Sequence, residues 1–317
     1  MDSTTLLKVN AVEKEFATVK AVNRLSFEVN QGEVFALLGP NGAGKTTMIR
    51  MILGIIRPDS GEIHFKWADS KVTSGFRGQV GYLPEERGLY KEIPIVRTLT
   101  YLGTLRGMRR KAAAAAATAW IERFGLKDRA TDKLETLSKG NQQKVQFIAA
   151  ILHQPSLVIL DEPFSGLDPI NQELFSTIIR ELSRDGSTIL LSAHQMQLVE
   201  RLAHRVLLMS RGREVLSGTM EQIGQTARWT NKLVLRTGSN PDLSFLKADP
   251  AIDGVNQSSD GTVTLFVKKG ASLSKLLVML GSSLDIVDIQ CERISLHDIY
   301  LQNVGADGSS EEMKVDT

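Results

Sequence analysis

A glycine-rich loop constrains the fold of this chain more than any other feature. Gly39-Pro40-Asn41-Gly42-Ala43-Gly44-Lys45-Thr46 matches the pattern G-x-x-x-x-G-K-[ST] and follows the apolar run Val34–Leu38. The next residues, 47–53, predict a helix. Glycines let successive backbone N–H groups face an anion, and the helix N-terminus adds about half a positive charge. The loop therefore predicts a phosphate site, in which Lys45 reaches the β- and γ-phosphates and Thr46 binds Mg²⁺.

An acidic pair ends another apolar run. Residues 157–160 are apolar, and Asp161-Glu162-Pro163 follows them. Runs that are apolar on both faces are typical of buried parallel strands, and ligands gather at the carboxyl ends of such strands. We therefore expect both carboxylates near the phosphate loop. Asp161 is expected to hold Mg²⁺ directly or through water. Glu162 is expected to deprotonate an attacking water, a role that contributes about 10²–10⁴ in rate.

The order of strands and helices predicts two domains and a tail. Alternation of apolar runs with helical stretches over the first two hundred residues predicts an α/β sheet. Residues 6–9, 25–29 and 62–65 predict a smaller antiparallel layer, and about 92–154 predict a helical insertion with six consecutive alanines. The first domain is expected over residues 1–228. Residues 229–305 predict a small α+β domain of split β-α-β type. Residues 306–317 predict a disordered polar tail.

Composition limits the classes of function. The 317 residues carry 38 Lys and Arg against 36 Asp and Glu, a net charge of +2, which does not indicate a broad nucleic-acid-binding stripe. Cys291 is the single cysteine, so an internal disulfide is excluded and a reducing compartment is favoured. No signal peptide is evident, and no apolar run reaches the roughly 18 residues that a membrane span needs. If the chain serves a membrane, it needs a partner that spans it.

Further motifs occur in an order that resembles a known family. Leu137-Ser138-Lys139-Gly140-Asn141-Gln142-Gln143 resembles L-S-G-G-Q, the signature of the ATPase subunits of ABC transporters, with Lys139 and Asn141 as departures. Phe16 stands at the family's adenine-stacking position. Tyr82-Leu83-Pro84-Glu85 matches the family's Q-loop, and Ser165-Gly166-Leu167-Asp168 matches its D-loop. Ser192-Ala193-His194 matches the segment that carries the switch histidine. The resemblance covers roughly residues 6–220.

The resemblance implies a fold and a shared nucleotide site. It implies a P-loop ATPase core of ABC type, with an antiparallel β layer and a helical insertion, beside the small C-terminal domain. ATP is then held between two cassettes arranged head to tail. Ser138, Lys139, Gly140 and Asn141 face the γ-phosphate bound to the other subunit, Asp168 belongs to the D-loop, and His194 acts with Glu162 in catalysis. The implied ATP-binding residues are Phe16, Gly39, Pro40, Asn41, Gly42, Ala43, Gly44, Lys45, Thr46 and Thr47.

Glu85 departs from the family pattern, which usually has Gln there. A carboxylate could join Thr46 and Asp161 at Mg²⁺, or it could face the membrane partner. The longer run over residues 81–90, together with a C-terminal extension, resembles a branch that includes sodium-exporting and drug-exporting ATPases.

The resulting hypothesis is an ATP-hydrolysing subunit that energises export through a separate membrane permease. Its expected place is the cytoplasmic face of the membrane, its cofactors are ATP and Mg²⁺, and its cassette partner is a second copy or a homologous cassette. Nucleic acid is not an expected partner. The alternative is a soluble ABC ATPase that remodels a ribosome or nucleic acid, and an unrelated phosphate-loop kinase or GTPase is a third. The C-terminal domain is expected to be a regulatory module or a dimerisation element.

Overall fold

The computed structural model describes residues 5–66, 78–86, 88–238, 241–258 and 260–305. These residues form two compact units, which meet in the sequence between Thr219 and Met220. The predicted boundary after residue 228 therefore falls inside the second unit. The expected polar tail over residues 306–317, and residue 87 of the run that follows the Q-loop, lie outside the described residues.

A six-stranded sheet forms the centre of the first unit. In spatial order its strands are β5 (Val80–Leu83), β6 (Leu157–Asp161), β7 (Thr188–Ala193), β3 (Val34–Leu38), β8 (Arg205–Ser210) and β9 (Arg213–Thr219). The first five strands run parallel, and β9 is antiparallel to β8. Every residue of β3, β6 and β7 is buried, as the continuous apolar runs predict. Because these three strands are neighbours, the loops at their carboxyl ends meet at one edge.

A smaller antiparallel layer has the predicted composition but longer strands. It contains β2 (Val19–Asn30), β1 (Thr5–Phe16) and β4 (Ser60–Phe65), in that order. The apolar runs predicted only the first half of β1, because the second half of that strand is polar. Register shifts along β1 allow its distal half to stay paired with β2, although most of its residues there are not buried.

Six helices complete the first unit as the structure describes it. They are α1 (Lys45–Ile52), α2 (Ile95–Leu105), α3 (Arg110–Arg123), α4 (Lys139–Ile151), α5 (Pro169–Arg184) and α6 (Met196–Glu200), with short 3₁₀ turns at Lys127–Arg129 and Leu134–Thr136. The alanine run lies in α3, where Ala113 and Ala117 are fully buried. A Cβ on Gly103 of α2 would lie 2.9 Å from the Cβ of Ala113. Small residues therefore let these two helices pack closely.

Three buried aromatic rings join the helical insertion to the rest of the first unit. Phe124 follows α3, Phe147 lies in α4 and Phe175 lies in α5. The centroids of Phe147 and Phe175 are 4.5 Å apart, and Phe124 lies 5.9 and 5.7 Å from them. Aromatic pairs at these distances stabilise a core beyond simple area burial. The cluster fixes α4, whose N-terminus carries the signature-like motif.

The second unit is an α+β arrangement around a four-stranded antiparallel sheet. Its strands are β10 (Trp229–Thr237), β11 (Ile252–Gln257), β12 (Thr262–Lys268) and β13 (Ile286–Arg293), in the spatial order β11-β12-β10-β13. Its helices are α7 (Met220–Thr226), α8 (Ser244–Ala248), α9 (Leu273–Ser283) and α10 (Leu296–Gly305). Both β12 and β13 are antiparallel to β10, which lies between them, and α9 connects them. This is the split β-α-β topology that the sequence predicts.

The sequence does not predict β11, because Gly254 and polar residues interrupt its apolar pattern. The last helix begins at Leu296, because Arg293 still pairs with Asn231 in the sheet. Within the part of the chain that the structure describes, no helix is both long and apolar enough to cross a bilayer.

Candidate functional site

The glycine-rich loop connects β3 to α1 in a conformation that requires glycine. Gly39 and Gly44 have φ angles of 149° and 101°. A Cβ on Gly39 would lie 2.3 Å from the Met209 carbonyl oxygen, and one on Gly44 would lie 2.1 Å from the Ala21 carbonyl oxygen. A side chain at either position would therefore collide with backbone. Pro40, Asn41 and Gly42 remain exposed, so the rim of the loop is open to a ligand.

Lys45 is a buried cation held inside this loop. Its side chain is 6% exposed, and its Nζ donates to the carbonyl oxygens of Gly39 at 2.7 Å and Pro40 at 3.2 Å. The same Nζ lies 3.4 Å from Glu162 Oε1. A buried charge needs such partners, because leaving water without them is costly. The positive charge of the loop is thus shared with a carboxylate of the acidic pair.

Asp161 lies at the carboxyl end of β6 and is fully buried. Its Oδ1 accepts hydrogen bonds from Ser192 Oγ at 2.5 Å and from Thr46 Oγ1 at 3.3 Å. Its Oδ2 is buried without a hydrogen-bond partner among the described residues. Burial raises the pKa of Asp161, the hydrogen bonds from Ser192 and Thr46 lower it, and the negative charges of Glu85 and Glu162 raise it further.

The unpaired oxygen of Asp161 fits a small hard cation. A carboxylate oxygen beside a threonine hydroxyl, at the mouth of a phosphate loop, is a donor set that suits Mg²⁺. The described residues contain no group of three or more His, Cys, Asp or Glu side chains that could hold a metal by themselves. Thr46 and Asp161 therefore fit a metal whose remaining ligands come from elsewhere. Glu85 is exposed, and its charge reaches Asp161 electrostatically.

Glu162 connects the acidic pair to the switch histidine. Its Oε2 lies 2.8 Å from His194 Nδ1, and its backbone has a φ of 51°, in the left-handed region. Its backbone N–H donates to Ser192 Oγ at 3.0 Å. The side chain of His194 is 47% exposed. Glu162 thus has one carboxylate oxygen against Lys45 and the other against a ring that solvent can reach.

Ser192 joins the two carboxylates, and sequence reasoning assigned it no role. Its Oγ donates to the side chain of Asp161 and accepts from the backbone of Glu162. Ser192 is fully buried and lies opposite Asp161 in the register of β6 and β7. Its place directly before Ala193-His194 was the only signal for it in the sequence.

The signature-like motif begins α4 and is accessible. Ser138 is the N-cap, and its Oγ accepts from the backbone N–H of Asn141 at 3.4 Å. Ser138 and Lys139 are exposed, whereas Gly140 and Asn141 are partly buried. Gln143, one turn along α4, is buried and donates from Nε2 to the Pro163 carbonyl oxygen at 3.3 Å. That bond ties the motif's helix to the segment that follows the acidic pair, and the sequence did not predict it.

Phe16 and Asp168 lie at the surface rather than in the buried cluster. Phe16 ends β1 with 45% of its surface exposed, and the Lys14 Nζ lies 5.4 Å from its ring centroid. Asp168 is the N-cap of α5, where its Oδ1 accepts from the Asn171 backbone N–H at 2.9 Å. That hydrogen bond lowers the pKa of Asp168. Side-chain contacts therefore connect the phosphate loop, through Lys45 and Thr46, to Asp161, Glu162 and His194.

Replacing Asp161 with Asn is expected to stabilise the nucleotide-free protein at neutral pH. Folding raises the pKa of Asp161, so at pH values between the ordinary Asp pKa and the raised one the folded chain binds more protons than the unfolded chain. The free energy of unfolding therefore falls as the pH rises through that range. The Asp161→Asn variant has no carboxyl group to deprotonate, so its free energy of unfolding does not fall in this way. Its amide still offers an oxygen to the hydroxyls of Ser192 and Thr46. Thermal unfolding midpoints at pH 4 and pH 7 measure it. A midpoint for the variant below that of the parent at pH 7 would contradict this account.

Comparisons with known proteins agree with the geometry. The family model described as "ABC transporter" matches residues 22–165. An uncharacterized ABC transporter ATP-binding protein, YhaQ of Bacillus subtilis, is 39% identical over 301 residues, covering 95% of this chain and 99% of the relative. The linearmycin resistance ATP-binding protein LnrL of the same organism is 29% identical over 308 residues, covering 95% and 98%.

A solved structure, titled as the ATP-binding subunit of an ABC transporter, has the same fold. It is 31% identical to this chain, with a TM-score of 0.64, and the match covers 69% of this chain and 92% of that one. The predicted fold class is confirmed by this match and by the sheet described above. The chain therefore belongs to the family of ABC transporter ATP-binding proteins, and it is a nucleotide-binding ATPase of that family.

Proposed function

We propose that this chain energises export through a separate membrane-spanning subunit, by ATP-driven head-to-tail association of two cassettes. The observation that carries the proposal is the Lys45–Glu162–His194 arrangement at the mouth of the phosphate loop. Export is favoured over import by the full-length similarity to LnrL, whose name assigns it to linearmycin resistance. Its place is then the cytoplasmic face of the membrane, where ATP is available. The transported molecule is a drug-like compound or an ion such as Na⁺.

Nucleotide binding changes the partner of Lys45. Without nucleotide, the ammonium is balanced by Glu162 at 3.4 Å. The β- and γ-phosphates carry more negative charge than one carboxylate, so they take over Lys45 as their partner. Glu162 is then released from its cation and becomes a stronger hydrogen-bond acceptor for water. Substrate binding and the activation of the base are in this way one event.

Glu162 is the general base, and the residues around it set its position. His194 holds one carboxylate oxygen and, being half exposed, can reach a γ-phosphate or its attacking water. Ser192 fixes the backbone of Glu162 relative to Asp161. Thr46 and Asp161 would hold Mg²⁺, which neutralises phosphate charge when it is bound.

The exposed signature-like motif supplies the second half of the ATP site, opposite the phosphate loop of another chain. Ser138 and the following N–H groups start α4, so they can face an anion that another chain presents. Lys139 adds a positive charge at that surface, where the family signature has glycine. Phe16, at the tip of β1, is available to stack on adenine. Two copies related by a two-fold axis would thus enclose two ATP molecules.

Replacing Glu162 with Gln is expected to reduce ATP hydrolysis about 10²- to 10⁴-fold, because the amide cannot accept the proton of the attacking water. ATP binding remains, since the phosphate loop is intact. Steady-state turnover and retention of radiolabelled ATP measure the two effects. Glu173→Gln, on the exposed face of α5, is the matched control and retains parental turnover. Parental turnover in Glu162→Gln would show that Glu162 is not the base.

Ser192→Ala is expected to lower kcat while the KM for ATP changes little. A hydrogen bond to a charged group contributes about 1.5–3 kcal/mol, so turnover falls about 10- to 100-fold. Ser183→Ala is the control, because Ser183 is also buried but donates to the Gly32 carbonyl oxygen. A positioning role predicts a changed pH profile of kcat in Ser192→Ala only. An equal fall of kcat in both variants would show that Ser192 only packs in the core and does not position Glu162.

A surface cavity beside the loop after β5 is the proposed docking place of the permease. It has a volume of about 230 Å³ and is lined by Tyr90, Ile93, Arg97, Thr98 and Tyr101. Tyr90 and Tyr101 are about half exposed, and the rings stand edge to face at 6.3 Å. The Thr98 hydroxyl is buried without a hydrogen-bond partner among the described residues. Exposed aromatic rings around a recess are typical of protein interfaces.

One contact connects this surface to the nucleotide side. Gln146 of α4 donates from Nε2 to the Glu86 carbonyl oxygen at 3.5 Å, in the loop that contains Glu85. Because Ser138 caps the start of α4, movement of the signature-like motif on ATP binding reaches the loop beside the cavity.

Tyr101→Ala is expected to abolish co-purification with the permease from solubilised membranes, while the ATPase activity of the isolated subunit stays at the parental level. Ile55→Ala, at another exposed apolar residue of the first unit, is the control and retains the partner. If Tyr101→Ala still co-purifies with the permease, the permease does not dock at this cavity. Recovery of ribosomes instead of a membrane protein, with the parental chain, would favour the soluble remodelling alternative.

A further inference from the structure

β13 is an edge strand that its own unit leaves largely uncovered. Seven of its eight residues, Val287 to Arg293, are exposed, whereas β12 alternates between buried and partly buried residues. Val287 and Ile289 are 60% and 39% exposed. No strand among the described residues pairs with its outer side. The strand therefore presents both a row of unpaired backbone groups and exposed apolar side chains.

Such an edge is usually protected against pairing. Common protections are Pro, Lys and other charged side chains, a bulge or a very short strand. β13 carries charges at Asp288, Glu292 and Arg293, but it contains neither Pro nor Lys and spans eight residues. Its register shift lies at Val287, near its start. The opposite edge, β11, is shorter and contains Gly254. β13 is thus the less protected of the two edges of this sheet and the one more suited to pair with another strand.

The two carboxylates of β13 lie beside basic residues of β10. Glu292 lies 3.0 Å from the Nζ of Lys232, and Asp288 is the register partner of Arg236. Both carboxylates therefore lie on the same face of the sheet as these basic residues. An added strand therefore needs to match the apolar residues on the other face, where Ile289 and Cys291 lie opposite Leu235 and Leu233.

A second copy of β13 matches this pattern in one symmetric register. With the two-fold axis at Ile289, Ile289 lies opposite itself, Val287 lies opposite Cys291 and Asp288 lies opposite Gln290. An axis at Gln290 would place Asp288 opposite Glu292 twice, and like charges directly opposite are destabilising. Axes at Asp288 or Glu292 would place a carboxylate opposite itself.

The last nearby register, with the axis at Cys291, places Ile289 opposite Arg293 and Gln290 opposite Glu292. It therefore loses the apolar match. Among the five registers with axes from Asp288 to Glu292, the one centred on Ile289 alone joins apolar residues around its axis and avoids like charges, although it also places Ile286 opposite Glu292.

We propose that β13 pairs antiparallel with β13 of a second chain about an axis at Ile289, forming an interface between two copies that does not depend on nucleotide. This goes beyond the proposed ATP-driven association of the cassettes. Two chains joined through their second units stay at high effective concentration when their cassettes separate. Each ATP-driven closure is then an event within a pre-formed pair.

Cross-linking tests the register in the full chain without nucleotide. Cys291 is the only cysteine, so Cys291→Ser gives a thiol-free background in which Ile289→Cys places two thiols at the axis. Directly opposite residues have Cβ atoms about 4.5–5.5 Å apart, close enough for a disulfide after small adjustment. Mild oxidation is expected to give disulfide-linked dimers. Asn256→Cys on β11, in the same background, is the control and gives few. Equal yields in the two variants would overturn the register.

Sedimentation without nucleotide tests the interface itself. The parental chain and Asn256→Asp are expected to form a concentration-dependent dimer, whereas Ile289→Asp, which places two carboxylates on the axis, is expected to remain monomeric. A monomeric parental chain, or a dimeric Ile289→Asp, would overturn the proposal. Because ATP is absent, either outcome is independent of whether ATP later joins the cassettes. Parental resistance of the second unit to proteolysis in Ile289→Asp shows that the unit carrying β13 is folded.

Discussion

The catalytic edge of the cassette depends on a buried lysine that shares its charge with a carboxylate. Lys45 and Glu162 are both almost fully buried, and their charges are 3.4 Å apart. Removing Lys45 would leave Glu162 as an uncompensated charge in a site with little water, which is strongly destabilising. Lys45 itself keeps the Gly39 and Pro40 carbonyl oxygens as partners when Glu162 is replaced by Gln. The pair therefore holds the phosphate loop and the end of β6 in one arrangement. In the proposed mechanism the pair also responds to nucleotide, because an incoming phosphate competes for the same ammonium.

The parts of the site that the sequence predicted are those that a local motif specifies. The phosphate loop, the acidic pair and the switch histidine each follow an apolar strand, and parallel strands bring their carboxyl ends to one edge. The structure confirms that β6 and β7 are neighbours and that β3 follows β7. That order brings Lys45, Thr46, Asp161, Glu162 and His194 to the same edge of the sheet.

The contacts that the sequence did not predict depend on strand register or on side-chain geometry. Ser192 reaches both carboxylates because it lies opposite Asp161 across β6 and β7, and register cannot be read from two apolar runs. Lys45 was assigned to phosphate alone, since nothing in the sequence shows that Glu162 approaches it. β11 was missed because its pattern is broken at Gly254, and the outer position of β13 emerges only from the complete strand order.

Two different interfaces follow from this architecture. The proposed cassette interface is polar and open to nucleotide, and ATP would complete it. The proposed β13 interface is apolar and backbone-mediated, and it would need no ligand. A chain with both interfaces would remain a dimer through β13 while its cassettes open and close. The two cassettes would then meet faster in each cycle, because they are already held at high effective concentration.

The central claim is that one ATP is shared between the phosphate loop of one chain and the signature-like motif of another. The most direct test introduces Asn41→Cys and Ser138→Cys into the Glu162→Gln, Cys291→Ser background and oxidises the protein with ATP, with ADP or without nucleotide. The account predicts a disulfide between residues 41 and 138 of different chains, formed with ATP and largely absent otherwise. The same yield without nucleotide, or a disulfide within one chain only, would contradict it.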